Sequence, residues 1–305
     1  MANLREIQDR IDSVKGTIQV TRTMEMISTA KVRKALERAQ EAEPYKDAIT
    51  RILSHVAGAS KGSADDPLLK THENETRVLF ILIASDKGMA GGFNIQLQRE
   101  VAKEMAALEK KGIASDLITC GKKPTEYFVF RGKTPVLSFT GNSSEPTMDD
   151  ADRIASYLVD GYVSGRLDRV VIYYWHAKNR VDQVHVREQV LPLSTTELFM
   201  PNAPREDEAV QSIDNKRASE FEFEPSADSV LGFLLPAYIR TVIFHALLDS
   251  AAAEHGARMR AMRSATDNAR EVITALSRTY NRERQGSITT ELTELVAGAS
   301  ALEDN

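Results

Sequence analysis

Apolar residues recur at alternating spacings of four and three along the first part of the chain, a pattern that predicts one long helix. Such spacing is typical of a coiled-coil seam, the line of residues that faces the partner helix. Pro44 is predicted to kink or break this helix. The predicted seam consists of Ile7, Ile11, Val14, Ile18 and Thr21, then Met24 and Ile27, and after the proline Tyr45, Ile49, Ile52 and Val56.

The middle of the chain has a different pattern. Residues 77–84 form a nearly continuous apolar run of strand length, as strands buried on both faces of a parallel sheet do. Strands and helices alternate from there, which predicts a Rossmann-like, doubly wound α/β domain. The last two strands are too close in sequence for a crossover and are expected to pair antiparallel. The predicted strands are 77–84, 115–120, 134–139, 168–174 and 181–190, and the predicted helices are 95–111, 124–131 and 149–164.

The helical pattern returns at Ser226 and continues to about Leu302. At about 1.5 Å per residue this helix would be on the order of 110 Å long, far more than a globular domain of this size needs. Neither terminal helix has enough apolar area to be stable alone. We therefore expect them to pair as a long antiparallel coiled coil, with the α/β domain inserted between them. The second predicted seam consists of Ile239, Ile243, Ala246, Ser250, Ala253 and Ala257, then Ala265, Ala269, Val272, Leu276 and Thr279.

These patterns divide the chain into four segments. They are an N-terminal coiled-coil helix (1–58), an α/β domain (74–200), an acidic connector with a foot (201–225) and a C-terminal coiled-coil helix (226–305). Small polar residues over 58–66 predict a linker. Between 204 and 228, eight acidic residues face three basic ones. This stretch is expected to be mostly solvated loop, although 221–225 could form a short strand or a contact epitope.

Composition limits the possible functions. The 305 residues are 42% hydrophobic and 27% charged with a formal net charge of −5, which is typical of a soluble globular protein and not of a nucleic-acid binder. The single cysteine, Cys120, excludes an intrachain disulfide and a multi-cysteine zinc set, and its apolar surroundings favour a buried thiol. The histidines have no metal-ligand spacing, and no catalytic triad or carboxylate pair emerges. We expect no catalytic site, cofactor or metal.

No apolar run approaches the roughly 20 residues needed to span a bilayer, so any membrane connection is expected to come through a partner. Residues 1–7 are amphipathic and include an acidic residue, unlike a signal or transit peptide. The chain is therefore expected in a cytosolic compartment.

Three segments resemble the gamma subunit family of rotary ATP synthases. Residues 10–35 look like its first helix. Residues 83–94 are similar to its Ser-Asp-(Arg/Lys)-Gly-Leu-Cys-Gly-(Gly/Ala) segment, with Met89 and Ala90 in place of Leu-Cys. Residues 288–299 match the family pattern Ile-Thr-x-Glu-x-x-(Asp/Glu)-x-x-x-Gly-Ala at every fixed position. The resemblance covers nearly the whole chain.

The resemblance implies a non-catalytic rotor shaft of a bacterial-type enzyme. In the family, the coiled coil turns inside a hexameric head of alpha and beta subunits, and its lower part sits with the epsilon subunit on the membrane c-ring. Rotation couples ion flow to ATP synthesis or hydrolysis, because an asymmetric shaft contacts the alternative states of each nucleotide site unequally. The implied location is peripheral, on the cytoplasmic side of the bacterial inner membrane, with no nucleic acid bound.

The family pattern also implies site residues. The expected contacts with the catalytic head are Met24, Arg258, Gln285, Thr289 and Glu291, and the expected foot on the membrane ring is Phe221 and Glu224. Simpler interpretations stay open: Met24 and Met26 could be seam residues, and Glu224 could belong to a solvated acidic linker.

Two basic clusters add to this picture. Residues 15–38 hold six basic and two acidic residues, and 258–284 hold seven basic and three acidic, a net of +4 each. Such runs are typical of a solvated helix face, but two of them in an acidic protein also suggest an acidic partner surface.

The glycine-rich segment 86–94 follows a predicted strand and precedes a helix, a position at which phosphate-binding loops occur. It lacks both Gly-x-x-x-x-Gly-Lys-(Ser/Thr) and Gly-x-Gly-x-x-Gly, which favours a tight structural turn. One alternative stays open: an α/β enzyme or nucleotide-binding module with a coiled-coil arm for RNA or another partner. Salt-dependent RNA binding, or protection of 88–92 by a nucleotide, would favour it.

Overall fold

The computed structural model describes residues 4–59, 66–72, 74–193, 224 and 226–303. Two long helices enclose an α/β segment in sequence, which confirms the predicted fold class. The helices are α1 (Leu4–Ala59), α2 (Phe93–Lys110), α3 (Lys122–Phe130), α4 (Met148–Val163) and α5 (Ala227–Glu303). The strands are β1 (Arg77–Ile83), β2 (Ala114–Cys120), β3 (Leu137–Phe139), β4 (Arg169–Ala177) and β5 (Gln183–Leu191).

The five strands form one sheet in the order β3-β2-β1-β4-β5. β1 to β4 run parallel and β5 pairs antiparallel with β4, as predicted. β1 lies at the centre, where Phe80 pairs with Leu117 on one side and Val171 on the other. This central position explains its continuous apolar run, because both faces of the strand are covered.

Helices cover both faces of the sheet. Because successive side chains of a strand point to opposite faces, β1 contributes to two hydrophobic clusters. Leu79, Ile81 and Ile83 pack with α4 and with apolar residues of α1 and α5. Val78, Phe80 and Leu82 pack with α2 and with alanines of α5.

The described chain forms two compact units. The first consists of Met1–Thr29 and Arg258–Asn305, and the second of Ala30–Ala257. In the first unit the two terminal helices pair, and the buried hydroxyls of Thr21 and Thr266 lie 2.7 Å apart. The four-segment division of the sequence stays a prediction.

All six residues of the predicted α5 seam over 239–257 are buried, and the five apolar ones lie in clusters that include strands of the sheet as well as α1. Other seam positions are wrong. Ile27 is 53% exposed while Ser28 is buried, and Tyr45 and Ile52 are about half exposed, at 54% and 50%. Val272, also predicted on a seam, is 46% exposed.

The physical reason is that the seam keeps its strict alternation of four and three residues, which in α1 runs through polar positions. In α1 it continues from Thr21 to Glu25 and Ser28, so that the apolar residues beside them face outward. In α5 the partly buried Ile273, next to Val272, lies four residues after buried Ala269. A seam that contains polar residues cannot be followed by hydrophobicity alone.

Pro44 does not break α1, which continues through it to Ala59. The predicted break is therefore wrong, whereas the alternative of a kink stays a prediction. The helix extends one residue past the start of the predicted linker. Residues 60–65 lie outside the described residues, as do 201–223 and 225 of the predicted connector.

By length and composition, α5 contains an apolar window long enough to cross a membrane, between Ser229 and Ala297. The expectation that the chain has no such run is wrong. Core packing accounts for much of this apolarity, because 44% of the window is buried inside the chain and Leu235, Ile239 and Ile243 are fully covered.

Candidate functional site

The last described turns of α5 carry three of the predicted contact residues. Gln285, Thr289 and Glu291 are all exposed. Their hydrogen bonds stay within the helix: the Thr289 hydroxyl donates to the Gln285 carbonyl at 2.9 Å, and the Ser287 hydroxyl donates to the Glu291 carboxylate at 3.2 Å. Because these bonds are short-range, the polar side chains remain accessible to a partner.

An uncovered apolar face accompanies them. Four large apolar residues in the same part of α5 are 48% to 71% exposed. They are Ile288, Leu292, Leu295 and Val296. The spacing of the first three, four and then three residues, places them on one side of a helix. Single exposed apolar residues are ordinary, but a row of them indicates an interaction surface.

α1 has its own exposed apolar residues in the first unit. Val20 and Met26 are each 59% exposed and Ile27 is 53% exposed, whereas Met24 is partly buried. Val20 and Ile27 are seven residues apart and share a face of the helix. Neither was predicted as a surface residue, although both lie off the strict seam spacing, which is the signal that marks them.

Arg258 differs from the other predicted contacts. It is only 7% exposed, so its side chain belongs to the packed interior of the chain. The structure therefore brings Gln285, Thr289 and Glu291 together on one exposed stretch and does not place Arg258 there.

The two predicted basic clusters are mostly solvated. In the first, Arg22 and Lys31 are exposed, and Arg33 pairs with Glu37 at 2.8 Å. In the second, Arg270 pairs with Asp267 at 3.0 Å. Five arginines of the second cluster are exposed, namely Arg263, Arg270, Arg278, Arg282 and Arg284. Both interpretations of the clusters stay open, since exposed cations suit water and an acidic partner equally.

The glycine-rich segment is closed by its own side chains. The Ser85 hydroxyl lies within hydrogen-bond distance of the Lys87 carbonyl (2.6 Å) and of Asn94 Oδ1 (2.9 Å), and the Asn94 amide oxygen accepts from the Ser85 backbone at 3.0 Å. Met89 and Gly91 both adopt positive φ, at 60° and 59°. These contacts favour a tight structural turn.

Asp86, in the same loop, joins three connections at the carboxyl edge of the sheet. Its carboxylate accepts backbone hydrogen bonds from Lys122 (2.8 Å), Gly141 (2.9 Å) and Ser143 (2.9 Å). Partial burial raises the pKa of Asp86, but these donors outweigh it and hold the pKa below its usual value. This network was not predicted from the sequence, because its partners are more than 30 residues away along the chain.

A shallow groove of about 500 Å³ lies beside this loop, between it and α3. Met89 and Phe130, which are 61% and 89% exposed, line it together with Tyr127. The Arg131 guanidinium lies 3.6 Å from the centre of the Tyr127 ring. The lining mixes apolar, polar and charged side chains, and Lys123 in it is paired with Glu126 at 3.0 Å.

The predicted foot is described only in part. Glu224 is exposed, and Phe221 lies outside the described residues. Phe233, one of the early residues of α5, is 82% exposed.

Among the described residues, no group of three or more His, Cys, Asp or Glu side chains could hold a metal ion. Three of the six histidines pair with carboxylates instead. His72 pairs with Asp168 at 2.7 Å, His176 with Asp249 at 2.5 Å, and His185 with Glu100. The Cys120 thiol is buried, and burial raises its pKa, which leaves it protonated and inert.

Comparisons with known proteins agree with one another. A family model described as ATP synthase matches residues 3–302. The ATP synthase gamma chain of Desulforamulus reducens is 38% identical over 303 residues, covering 99% of this chain and 100% of the relative. That of Symbiobacterium thermophilum is 39% identical over 302 residues, covering 99% of each chain.

Solved structures share the fold. A chain of the rotor of the Euglena gracilis mitochondrial ATP synthase aligns with a TM-score of 0.61 at 20% identity, over 93% of this chain and 98% of that one. A chain of the central stalk and c-ring structure of the Tetrahymena thermophila mitochondrial ATP synthase aligns with a TM-score of 0.58 at 21% identity, over 81% and 99%.

Proposed function

Because the chain belongs to the ATP synthase gamma chain family, we propose that its paired helices turn inside a head of alpha and beta subunits and act on that head through the end of α5. The chain is a central-stalk subunit of the synthase, and it couples rather than catalyses. Its place is in the membrane-associated complex.

The composition of the exposed stretch 285–296 is the main observation that supports a contact with the head at this place. Exposed Gln285, Thr289 and Glu291 stand beside an uncovered apolar row that begins at Ile288. Head subunits that surround this stretch would cover the apolar row and contact the polar side chains. The same argument applies to exposed Val20 and Ile27 on α1 and, more weakly, to partly buried Met24.

Arg258 has a different part in this proposal. At 7% exposure it supports the shape of the shaft from inside, and it reaches the head only where the complex changes its packing. The exposed arginines of 263–284 are the cations that meet the acidic surface of the head in every rotational position.

The contact with the membrane ring is assigned to the acidic connector and the beginning of α5. Exposed Glu224 and Phe233 support this assignment, with Phe221 as a further foot residue. The epsilon subunit and the c-ring are the proposed partners there, and the proposed side of the membrane is the cytoplasmic one. In this scheme segments 1–58 and 226–305 form the shaft, 74–200 the α/β domain and 201–225 the foot.

The test is reconstitution of the whole complex with this chain. We expect it to co-purify with alpha and beta subunits that hydrolyse ATP, and to support ATP-driven ion pumping in vesicles. Gln285→Ala should lower turnover about fivefold, the factor carried by one net hydrogen bond. Asn268→Ala, an exposed polar change on the same helix, is the control and should have no effect. Equal rates for wild type and Gln285→Ala would remove Gln285 from the contact surface.

Arg258 needs a separate measurement, because its burial links it to folding. Arg258→Gln is expected to lower both the thermal stability of the isolated chain and coupling in the complex. Full coupling with Arg258→Gln would exclude a role for its charge. Failure of the wild-type chain to assemble with the head would overturn the proposal as a whole.

A further inference from the structure

Within the second compact unit, α5 approaches the sheet closely through small residues. Ala246, Ala252 and Ala253 are at most 2% exposed. A Cβ atom on Gly256 would lie 3.3 Å from the carbonyl oxygen of Arg180. Contacts of this kind are short but non-directional, so alone they would let a helix slide or turn against the sheet.

Two buried carboxylates interrupt the row of small residues. Asp249 is 3% exposed, and its Oδ1 accepts from the backbone nitrogen of Ala177 at 2.8 Å. Its other oxygen, Oδ2, lies 2.5 Å from Nδ1 of His176. Both partners belong to the end of β4, so Asp249 ties α5 to that strand.

Glu254 makes the second tie. It is 2% exposed, and its Oε2 accepts from the Ser143 hydroxyl at 3.0 Å. The same hydroxyl oxygen accepts from the backbone nitrogen of Asp86 at 3.0 Å. Since a hydroxyl has one proton, these two contacts fix its direction: Asp86 donates to Ser143, and Ser143 donates to Glu254.

This second tie extends across the sheet. Asp86 lies in the connection after β1, and its carboxylate also accepts hydrogen bonds from Lys122 after β2 and from Gly141 and Ser143 after β3. The Glu254 tie therefore reaches the connections that follow all three strands. Together with the Asp249 tie to β4, it attaches the carboxyl ends of all four parallel strands to α5.

The spacing of the two carboxylates matters mechanically. Five residues of helix correspond to about 7.5 Å along the axis and about 140° around it, from 1.5 Å and 3.6 residues per turn. One tie alone would act as a pivot. Two ties separated in both height and direction oppose rotation of the helix as well as sliding.

We propose that Asp249 and Glu254 are positioning residues that lock α5 against the carboxyl edge of the sheet, so that torque passes between the α/β domain and the shaft helix without slip. This proposal rests on the proposed rotor function. It assigns the network to mechanical coupling rather than to general stability, because an apolar pair would pack as well without fixing direction.

The experiment uses the complete complex in vesicles, with Asp249→Asn, Glu254→Gln and the double variant in this chain. The ions pumped per ATP hydrolysed are measured beside the hydrolysis rate itself. We expect the double variant to hydrolyse ATP at nearly the wild-type rate, while pumping per ATP falls by more than about fivefold, because one net hydrogen bond corresponds to about fivefold and two ties are weakened. Each single variant should lie between the double variant and wild type.

Asp152→Asn is the matched control. It removes an exposed ion pair at 3.2 Å between Asp152 of α4 and Arg240 of the same helix α5. An exposed pair contributes little, so pumping per ATP should stay at the wild-type value. An equal loss with Asp152→Asn would mean that any loosening of α5 suffices, and would overturn the assignment to the two buried ties.

A second pair of variants covers the case in which the carboxylate variants do not assemble. Ser143→Ala breaks the Glu254 tie from the loop, and Ser144→Ala changes the neighbouring serine. Loss of pumping per ATP with the first and not the second supports the lock. Wild-type pumping with Ser143→Ala overturns the Glu254 tie, whereas absence of pumping with the wild-type chain overturns the rotor function instead.

Discussion

The hydroxyl oxygens of Thr21 and Thr266 lie 2.7 Å apart in the buried seam between the two terminal helices. Each also lies near a carbonyl of its own helix, Ile18 at 3.2 Å and Met262 at 3.0 Å. One hydroxyl can therefore donate across the seam while the other donates to its own backbone. A single polar layer of this kind specifies the register of a coiled coil, because a shift of one helix along the other would break the hydrogen bond between the two buried hydroxyls.

Removing one of the two hydroxyls should lower the free energy of unfolding by more than half of the loss seen when both are removed. Thr21→Val or Thr266→Val alone is expected to lower the free energy of unfolding by about 1 kcal/mol, since a buried polar partner is left behind. The double variant should fall well short of the sum of the two losses. Denaturant titration followed by circular dichroism measures all three.

Thr17→Val is the control for this series. Thr17 is exposed and makes the same kind of backbone bond, to the Ser13 carbonyl at 3.2 Å. It should change the free energy of unfolding by less than about 0.5 kcal/mol. Strictly additive losses at Thr21 and Thr266 would show that the two hydroxyls do not interact.

Sequence periodicity predicted the long helices and the sheet because both bury apolar residues at regularly repeating positions. Five of the six predicted seam positions over 239–257 are apolar, and so is every residue of the central strand β1 after Arg77. Where the seam contains polar residues, as at Thr21 and Ser28, the apolar pattern predicts Ile27 as the seam residue, but Ile27 is exposed. Strict spacing of four and three from Thr21 leads to Ser28, whereas hydrophobicity alone leads to Ile27.

The candidate site also contains residues that the sequence predicted and residues that it did not. Gln285, Thr289 and Glu291 were found from a short local motif and lie on one exposed stretch. Arg258 was expected in the same contact and is instead 7% exposed. The network around Asp86 was not predicted, because its donors come from loops that only the folded sheet brings together.

Asp168 should make the stability of the second compact unit depend on pH in the acid range. Its carboxylate receives hydrogen bonds from His72 (2.7 Å), the Thr76 backbone (2.7 Å) and the Arg77 backbone (2.8 Å). Burial raises the pKa of Asp168, but these partners outweigh it and lower the pKa to about 2. A folded pKa below the unfolded one stabilises the protein above about pH 4, and this contribution is lost as pH falls towards 2.

Asp168→Asn is therefore expected to lower the free energy of unfolding by about 2 kcal/mol at pH 7 and to flatten its decline between about pH 4 and 2. Denaturant titrations at a series of pH values measure both effects. Asp116→Asn is the control, because Asp116 pairs with the partly exposed side chain of Arg77 at 3.1 Å; it should cost under about 1 kcal/mol. An unchanged acid slope in Asp168→Asn would contradict the assignment.

Gly121 should tolerate no side chain. Its φ is 112°, and a Cβ atom there would lie 2.6 Å from the Ala84 carbonyl oxygen. Gly121→Ala combines backbone strain with a clash against rigid backbone, so we expect a loss of about 3 kcal/mol or more in the free energy of unfolding. Gly112→Ala shares the positive φ, at 77°, but has open space around it. Its loss should be about 1 kcal/mol, and equal losses at the two glycines would show that the clash is relieved.

Cys120 should react with thiol reagents only when the second unit opens. The side chain is 4% exposed, and burial raises the pKa of its thiol, so access and ionisation are both suppressed. Labelling of the native chain with a maleimide is expected to be at least about 100-fold slower than in denaturant. Thr29→Cys, at an exposed position of α1, provides the positive control and should label quickly. Fast labelling of Cys120 in the folded chain would mean that the end of β2 opens readily, and the Asp86 network beside it would then be too mobile to hold α5.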